Sequence, residues 1–245
     1  MSLAPRWAAL AAASVTVLAL TATGCSSDSG KKSDAKSDTK GSSSASANGK
    51  ASPGSSSSSG AVPVGAGPQT KYAVQQQPAA GSCSYHYTAD KQPLPDPKCT
   101  PGATNPKVTQ ATIKETICKA GYTKDIRPPV GVTGKEKTAN AASYGYKGPM
   151  RDAEYDHLIS LQLGGDPNDP RNLWVEPPSP GHKDGAGPNN PKDVVETKLK
   201  TAICSGKAQL ADVQRAIAHD WTTALAGLGI KDDGKKAVAK DPDDD

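Results

Sequence analysis

The dipeptide Asp156-His157 is where residue type and position in this sequence suit chemistry. A carboxylate is competent to hold a hard cation, and an imidazole is the side chain best suited to take a proton near neutral pH. Leu158, Ile159, Leu161 and Leu163 follow at strand-like spacing, Gly164-Gly165 permits a sharp reversal, and Asn172-Leu173-Trp174 begins a return limb. The pattern predicts a short hairpin with Asp-His at its start and Asn at its return, followed by a helix. Other residues of the same types read more simply: His219 lies beside Trp221 as a structural residue, His86 sits between Tyr85 and Tyr87 in a loop, and Trp174 is core.

Helices must hold this hairpin, and periodicity predicts several. Thr109 can cap a helix with Ile113, Ile117 and Ala120 on one face, stopped by Gly121. Arg127-Pro128-Pro129 forces an extended loop, and a weaker helical stretch covers 135–144. Val195, Leu199, Ala202 and Ile203 share one face of a helix over 193–204, terminated by Gly206. A last helix over 210–225 carries the core stripe Leu210, Val213, Ile217, Trp221 and Leu225. The expected class is α+β: a mostly helical single domain around one small hairpin.

The chain has 245 residues, and its organisation follows from shifts in composition. Residues 1–24 combine an early positive charge, a short apolar run and the small residues Ala22-Thr23-Gly24, which is a secretory signal rather than a membrane span. Cys25 directly after them resembles a lipobox cysteine, which implies diacylglycerol on Cys25 and stable anchoring by more than one acyl chain. Residues 25–81 are rich in Ser, Gly, Ala and Lys and are expected to be a disordered tether. The folded domain is expected over 82–230, with a charged, disordered tail over 231–245.

With no Phe, 4 % aromatic residues and a mean hydropathy of −0.59, the core is modest and needs reinforcement. Setting Cys25 aside leaves Cys83, Cys99, Cys118 and Cys204, an even number that allows three pairings in an oxidising compartment. We favour Cys83-Cys99, which closes a Pro-rich loop, and Cys118-Cys204, which ties two helix ends. No Cys-x-x-Cys spacing supports a zinc cluster. A net charge of +4, spread rather than clustered, is compatible with nucleic acid and equally with an anionic membrane or cell wall.

The hairpin outline is that of the HNH-type ββα-metal nucleases, and the resemblance extends to secreted actinobacterial HNH-like lipoproteins. It is carried by Cys-Thr-Pro-Gly-Ala at 99–103, Thr-Ile-Cys at 116–118, Gly-Tyr-Thr at 121–123, Ile-Arg-Pro-Pro at 126–129 and Asp-His-Leu-Ile at 156–159. Leu-Gly-Gly at 163–165, Asn-Leu-Trp at 172–174, Lys-Asp-Val-Val-Glu at 192–196 and Arg-Ala-Ile-Ala-His-Asp-Trp at 215–221 complete it. The resemblance implies a ββα-metal motif with His157 as general base, Asp156 as a ligand to one divalent metal, and Asn172 fixing the loop that carries the base. The third motif position departs from the family's His or Asn. Asp193, at the expected helix start, is the preferred ligand, with His182 and Asn190 as alternatives and Glu196 in support. Mg²⁺ or Mn²⁺ suits carboxylate ligands, and Zn²⁺ is possible.

The resemblance thus implies a metal-dependent endonuclease held at the outer face of the cell membrane. It would hydrolyse DNA or RNA with little sequence specificity. The alternative is a non-catalytic envelope lipoprotein that uses the same scaffold as a binding or structural module, and no protein partner can be read from the sequence. An open three-point site around Asp156 separates the first from the second.

Overall fold

The computed structural model describes residues 61–188 and 190–232. The signal 1–24, Cys25, the serine-rich part of the tether and nearly all of the 231–245 tail lie outside the described residues. The class is mixed α+β, with helices and two small antiparallel sheets. One sheet pairs β1 (His86–Tyr87) with β2 (Pro93–Leu94). After α1 (Tyr122–Ile126) and α2 (Val130–Ser143) comes the second sheet, in which β3 (Glu154–His157) pairs with β4 (Leu173–Glu176). Helices α3 (Pro191–Cys204), α4 (Leu210–His219) and α5 (Ala224–Gly227) close the chain.

The main core lies where Leu199 and Ile203 of α3 meet Leu210, Val213 and Ile217 of α4, with Trp221, Ile113, Ile117, Ile159 and Leu163 packed among them. A second cluster sits against the hairpin, with Trp174, Tyr144 and Leu158 buried and the Tyr85 and Tyr144 rings stacked at 4.7 Å. Both disulfides form, Cys83–Cys99 across the Pro-rich loop and Cys118–Cys204 from the turn region to the end of α3.

The hairpin differs from its expected form. Leu158, Ile159, Leu161 and Leu163 are not strand residues: the chain leaves β3 after His157 and winds into a 3₁₀ turn, Leu161–Leu163. All four are buried because core surrounds the segment on every side, and such apolar runs do not distinguish strand from turn. Gly164 ends the turn at φ 77°. At Gly165 an added Cβ would fall 1.7 Å from the Ile159 carbonyl oxygen, so only glycine fits. The free edge of β4 is covered by Asn140 of α2. Its Oδ1 accepts from Val175 N at 2.8 Å and its Nδ2 donates to Leu173 O at 3.4 Å, so one side chain substitutes for a neighbouring strand.

Three helix expectations are corrected. Residues 109–120 form linked turns, not a helix, because Thr112 Oγ1 accepts from Thr109 N and donates to the Lys107 carbonyl, diverting groups a helix would use. Helix α2 begins at Val130, directly after Pro129, so the proline pair starts a helix five residues earlier than 135. The 210–225 helix is broken at Asp220, whose backbone is extended and whose Oδ1 accepts from both Thr222 N and Thr222 Oγ1.

Residues 61–81, assigned to the tether, instead form an extended strap fastened to the body. Gly65 N donates to Thr104 O and Thr104 N to Pro63 O, both at 2.8 Å. Further along, Gly67 N donates to Asp166 Oδ2 at 2.6 Å, Tyr72 Oη to Ile126 O at 2.6 Å and Gln75 N to Glu136 Oε1 at 2.7 Å. Backbone and side-chain groups of the body supply these partners, so the strap's own composition carries no sign of order.

Candidate functional site

Alternation along β3 and β4 sorts the hairpin side chains onto two faces. Glu154 and Asp156 share one face with their cross-strand partners Glu176 and Trp174. Tyr155 and His157 share the other with Val175 and Leu173. Asp156 and His157, adjacent in sequence, therefore point to opposite sides of the sheet and do not converge on one spot.

On the first face Asp156 Oδ2 accepts from the Trp174 indole at 3.0 Å and from Lys192 Nζ at 2.8 Å. Lys192, with no exposed surface, also contacts Glu196 and donates to the His157 carbonyl at 2.9 Å. Burial works against its ammonium, but Asp156, Glu196 and Glu176 outweigh it and hold the proton. Burial pushes Glu196 up to about 8, against the pull of Lys192. Glu176 is also raised by burial and by the nearby Asp156. Three carboxylates around one ammonium in a dry site cannot all ionise, so the cluster retains a proton.

The residues at Asp156 do not fit the metal centre that the sequence pattern implied. Its carboxylate is taken by Lys192 and Trp174, and among the described residues no three His, Cys, Asp or Glu side chains are grouped to hold a metal ion. The helix does reach the hairpin, but through Lys192 rather than Asp193. Asp193 is half-buried one position on, and its charge is felt at Glu196. Asn190 caps α3 by accepting from Lys192 N at 3.0 Å. His182 lies 3.7 Å from Asp152 Oδ1 in the loop before α3. Lys192 was legible only as part of the Lys-Asp-Val-Val-Glu motif: i,i+4 spacing to Glu196 signals an ion pair, but not one buried against a strand.

On the opposite face His157 is 8 % exposed. Its Nε2 lies 3.0 Å from the Pro167 carbonyl, and because a carbonyl only accepts, Nε2 carries the proton and Nδ1 the lone pair. Burial, with a smaller contribution from the Arg127 charge, lowers the imidazole to about 4, so the ring is neutral at physiological pH. The loop that supplies the carbonyl is braced by Asn172, fully buried. Asn172 Oδ1 accepts from Ile159 N at 3.0 Å and Ala103 N at 3.3 Å, while Nδ2 donates to Ile159 O and Asp166 O, each at 3.0 Å.

The same face holds polar side chains that sequence reasoning missed. Glu136 of α2, with no exposed surface, accepts from Gln75 N through Oε1 at 2.7 Å, and the Asn168 amide stands beside the carboxylate. Asn168 donates through Nδ2 to the Ala73 carbonyl at 2.9 Å, and Gln77 stands beside the Tyr155 hydroxyl. The Asn168 amide and the Gln75 N–H favour the ionised form of Glu136, while burial outweighs both and raises it. Burial, with a smaller contribution from Glu136, raises Tyr155. Glu136 stands in a helix of small residues without an amphipathic stripe, and Asn168 in Asp-Pro-Asn-Asp-Pro reads as a turn, so neither announces itself.

No family model, curated protein or solved structure matches this chain.

Proposed function

We propose that this chain is an extracytoplasmic phosphodiester hydrolase, a nuclease of HNH type by sequence pattern, with His157 as general base. The supporting observation is the state of His157: neutral, with its proton placed on Nε2 by the Pro167 carbonyl so that Nδ1 carries the lone pair, and with its loop braced by Asn172. Arg127 adds positive charge felt at the ring, which suits an anionic substrate. The substrate is DNA or RNA recognised through its backbone, since the chain is basic with its Lys residues spread along the sequence. Two disulfides fit an oxidising compartment, and no helix among the described residues is long and apolar enough to cross a membrane. Attachment to the membrane belongs to Cys25, if it is acylated.

One observation favours the second reading, a non-catalytic envelope module: the Lys192 ammonium takes the place beside Asp156 where the HNH pattern sets a metal. The readings separate in one assay. Supercoiled plasmid and single-stranded RNA are incubated with the full chain in Mg²⁺ or Mn²⁺, with and without chelator, beside His157→Ala. The hydrolase reading expects cleavage that falls about 10²- to 10⁴-fold in the variant. Nucleic acid left intact with every metal establishes the module.

A further inference from the structure

We infer that the groove formed by α4, α5 and the first residues of the strap is a docking site for the chain's own tail, with Ala237-Val238-Ala239 seated in the groove and the acidic run 241–245 drawn to Arg215.

The groove has a volume of about 800 Å³. Pro63, Pro97 and Pro101 line it from the loops, and Ala216, Ala224 and Leu228 from the α4–α5 region. Small apolar groups thus make up most of its wall, and an apolar surface of this kind marks a place that another segment covers. The wall is held before anything binds. The Pro63 carbonyl accepts from Thr104 N at 2.8 Å, Leu228 N donates to the Ala224 carbonyl at 3.2 Å, and Ala224 is buried. Among the described residues that line the groove, Arg215 alone is permanently charged, and none is a carboxylate. Arg215 contacts Asp212 on its own helix, but a guanidinium carries five N–H donors and serves a second carboxylate without losing the first.

Charge and composition choose between the two segments that leave the body here. Ala61, the first of the described residues, lines the groove, and Leu228 lies close before their last, Asp232. The segment 26–60 carries five Lys against three Asp and no branched apolar residue, so it has little to bury and its net positive charge is repelled by Arg215. The tail has both complements. Ala237-Val238-Ala239 matches a wall of small apolar groups, and Asp241, Asp243, Asp244 and Asp245 follow at once. Lys235, Lys236 and Lys240 flank the triplet and keep their ammonium groups in water. Reach is ample, since residues 233–245 extend up to about 43 Å. Ordering a flexible segment costs conformational entropy, but a tethered one meets its site at roughly millimolar effective concentration, so contacts too weak to hold a free peptide suffice. The tail thereby occupies a face that an outside segment of similar chemistry would otherwise take.

The test is nuclear magnetic resonance on the full chain, which needs no ligand and no turnover. Nuclear Overhauser effects are expected from the Val238 methyls to the methyls of Ala216, Ala224 and Leu228, with backbone order parameters above about 0.6 at 237–239. Arg215→Glu, at an exposed position, and Val238→Asp, in the tail itself, should each lower the docked-to-free ratio by about 5-fold or more, while the melting temperature of the body stays within a few degrees of the parent. Raising the salt to 1 M should weaken docking in the parent and much less in Arg215→Glu. Order parameters at 237–239 as low as those of the serine run, without contacts to the body, overturn the inference. So do contacts to a face other than this groove, and so does docking that vanishes on dilution with effects between differently labelled chains, which would make a second copy the occupant.

Discussion

Lys192 Nζ lies 2.8 Å from Asp156 Oδ2, and neither side chain reaches solvent to any extent, at 0 % and 7 % exposure. The ammonium ties the first turn of α3 to the hairpin and opposes the burial that raises Glu196 and Glu176. Lys192→Met removes the charge and leaves the carboxylates in a dry site. Breaking a buried pair this way costs about 3–5 kcal/mol, read as a lower urea midpoint at pH 7. The loss should shrink in the double variant Lys192→Met/Asp156→Asn, which no longer buries the unpaired charge. A single-variant loss below about 1 kcal/mol would show that water reaches the cluster.

Gly165→Ala tests the packing of the loop beneath Asn172. The new Cβ would sit 1.7 Å from the Ile159 carbonyl oxygen and the Asn172 amide nitrogen would lie 2.8 Å away, so backbone has to move. Destabilisation of about 1–3 kcal/mol is expected, with loss of any activity that depends on His157. Gly206→Ala is a control at which a Cβ meets nothing within 4 Å, although its φ of 75° adds backbone strain. A Gly165→Ala protein as stable as the parent would mean that the loop is looser than described.

The buried His157 makes an acid-side prediction. Its folded value of about 4 lies below the unfolded 6.5, so between those limits the unfolded chain binds more protons and stability rises with pH. The stabilisation is complete above pH 6.5 and is lost as pH falls toward 4, amounting to roughly 3 kcal/mol. His157→Gln should flatten this part of the curve of unfolding free energy against pH, measured in chelator. A curve of unchanged slope would show that His157 is protonated in the native state.

Limited proteolysis tests the strap. Lys71 lies in an extended, largely exposed segment that trypsin would cut at once in a flexible tether. Here the neighbouring Tyr72 hydroxyl and Ala73 carbonyl are bonded to the body, so cutting after Lys71 should be slow compared with sites before residue 61. A stable fragment that begins near residue 82 instead would restore the shorter domain boundary.

Legibility in the sequence followed the physical origin of each feature. Helices α3 and α4 were readable because Leu199, Ile203, Leu210, Val213 and Ile217 repeat at helical period, which burial on one side imposes. Asn172 was readable as a loop-bracing position, since three of its hydrogen bonds go to Ile159 and Asp166 within one local loop. Segments buried on all sides lose their period, which is why Leu158 to Leu163 looked like a strand. Lys192, Glu136 and Asn168 act through partners distant in the chain, such as Asp156, Gln75 and Ala73, and no local pattern encodes a contact of that kind.

The strap also fixes how force enters the fold. Residues 61–81 cross from Thr104 over Asp166 and Asn168 to Glu136 and Asn140, and the last two of these belong to α2, the helix that edges β4. Tension arriving through residue 61 would peel these bonds one after another, beginning at Pro63 and Gly65, while the two disulfides keep the remainder closed. The strap is thus loaded in series with the chain before residue 61, and the rest of the body is in parallel.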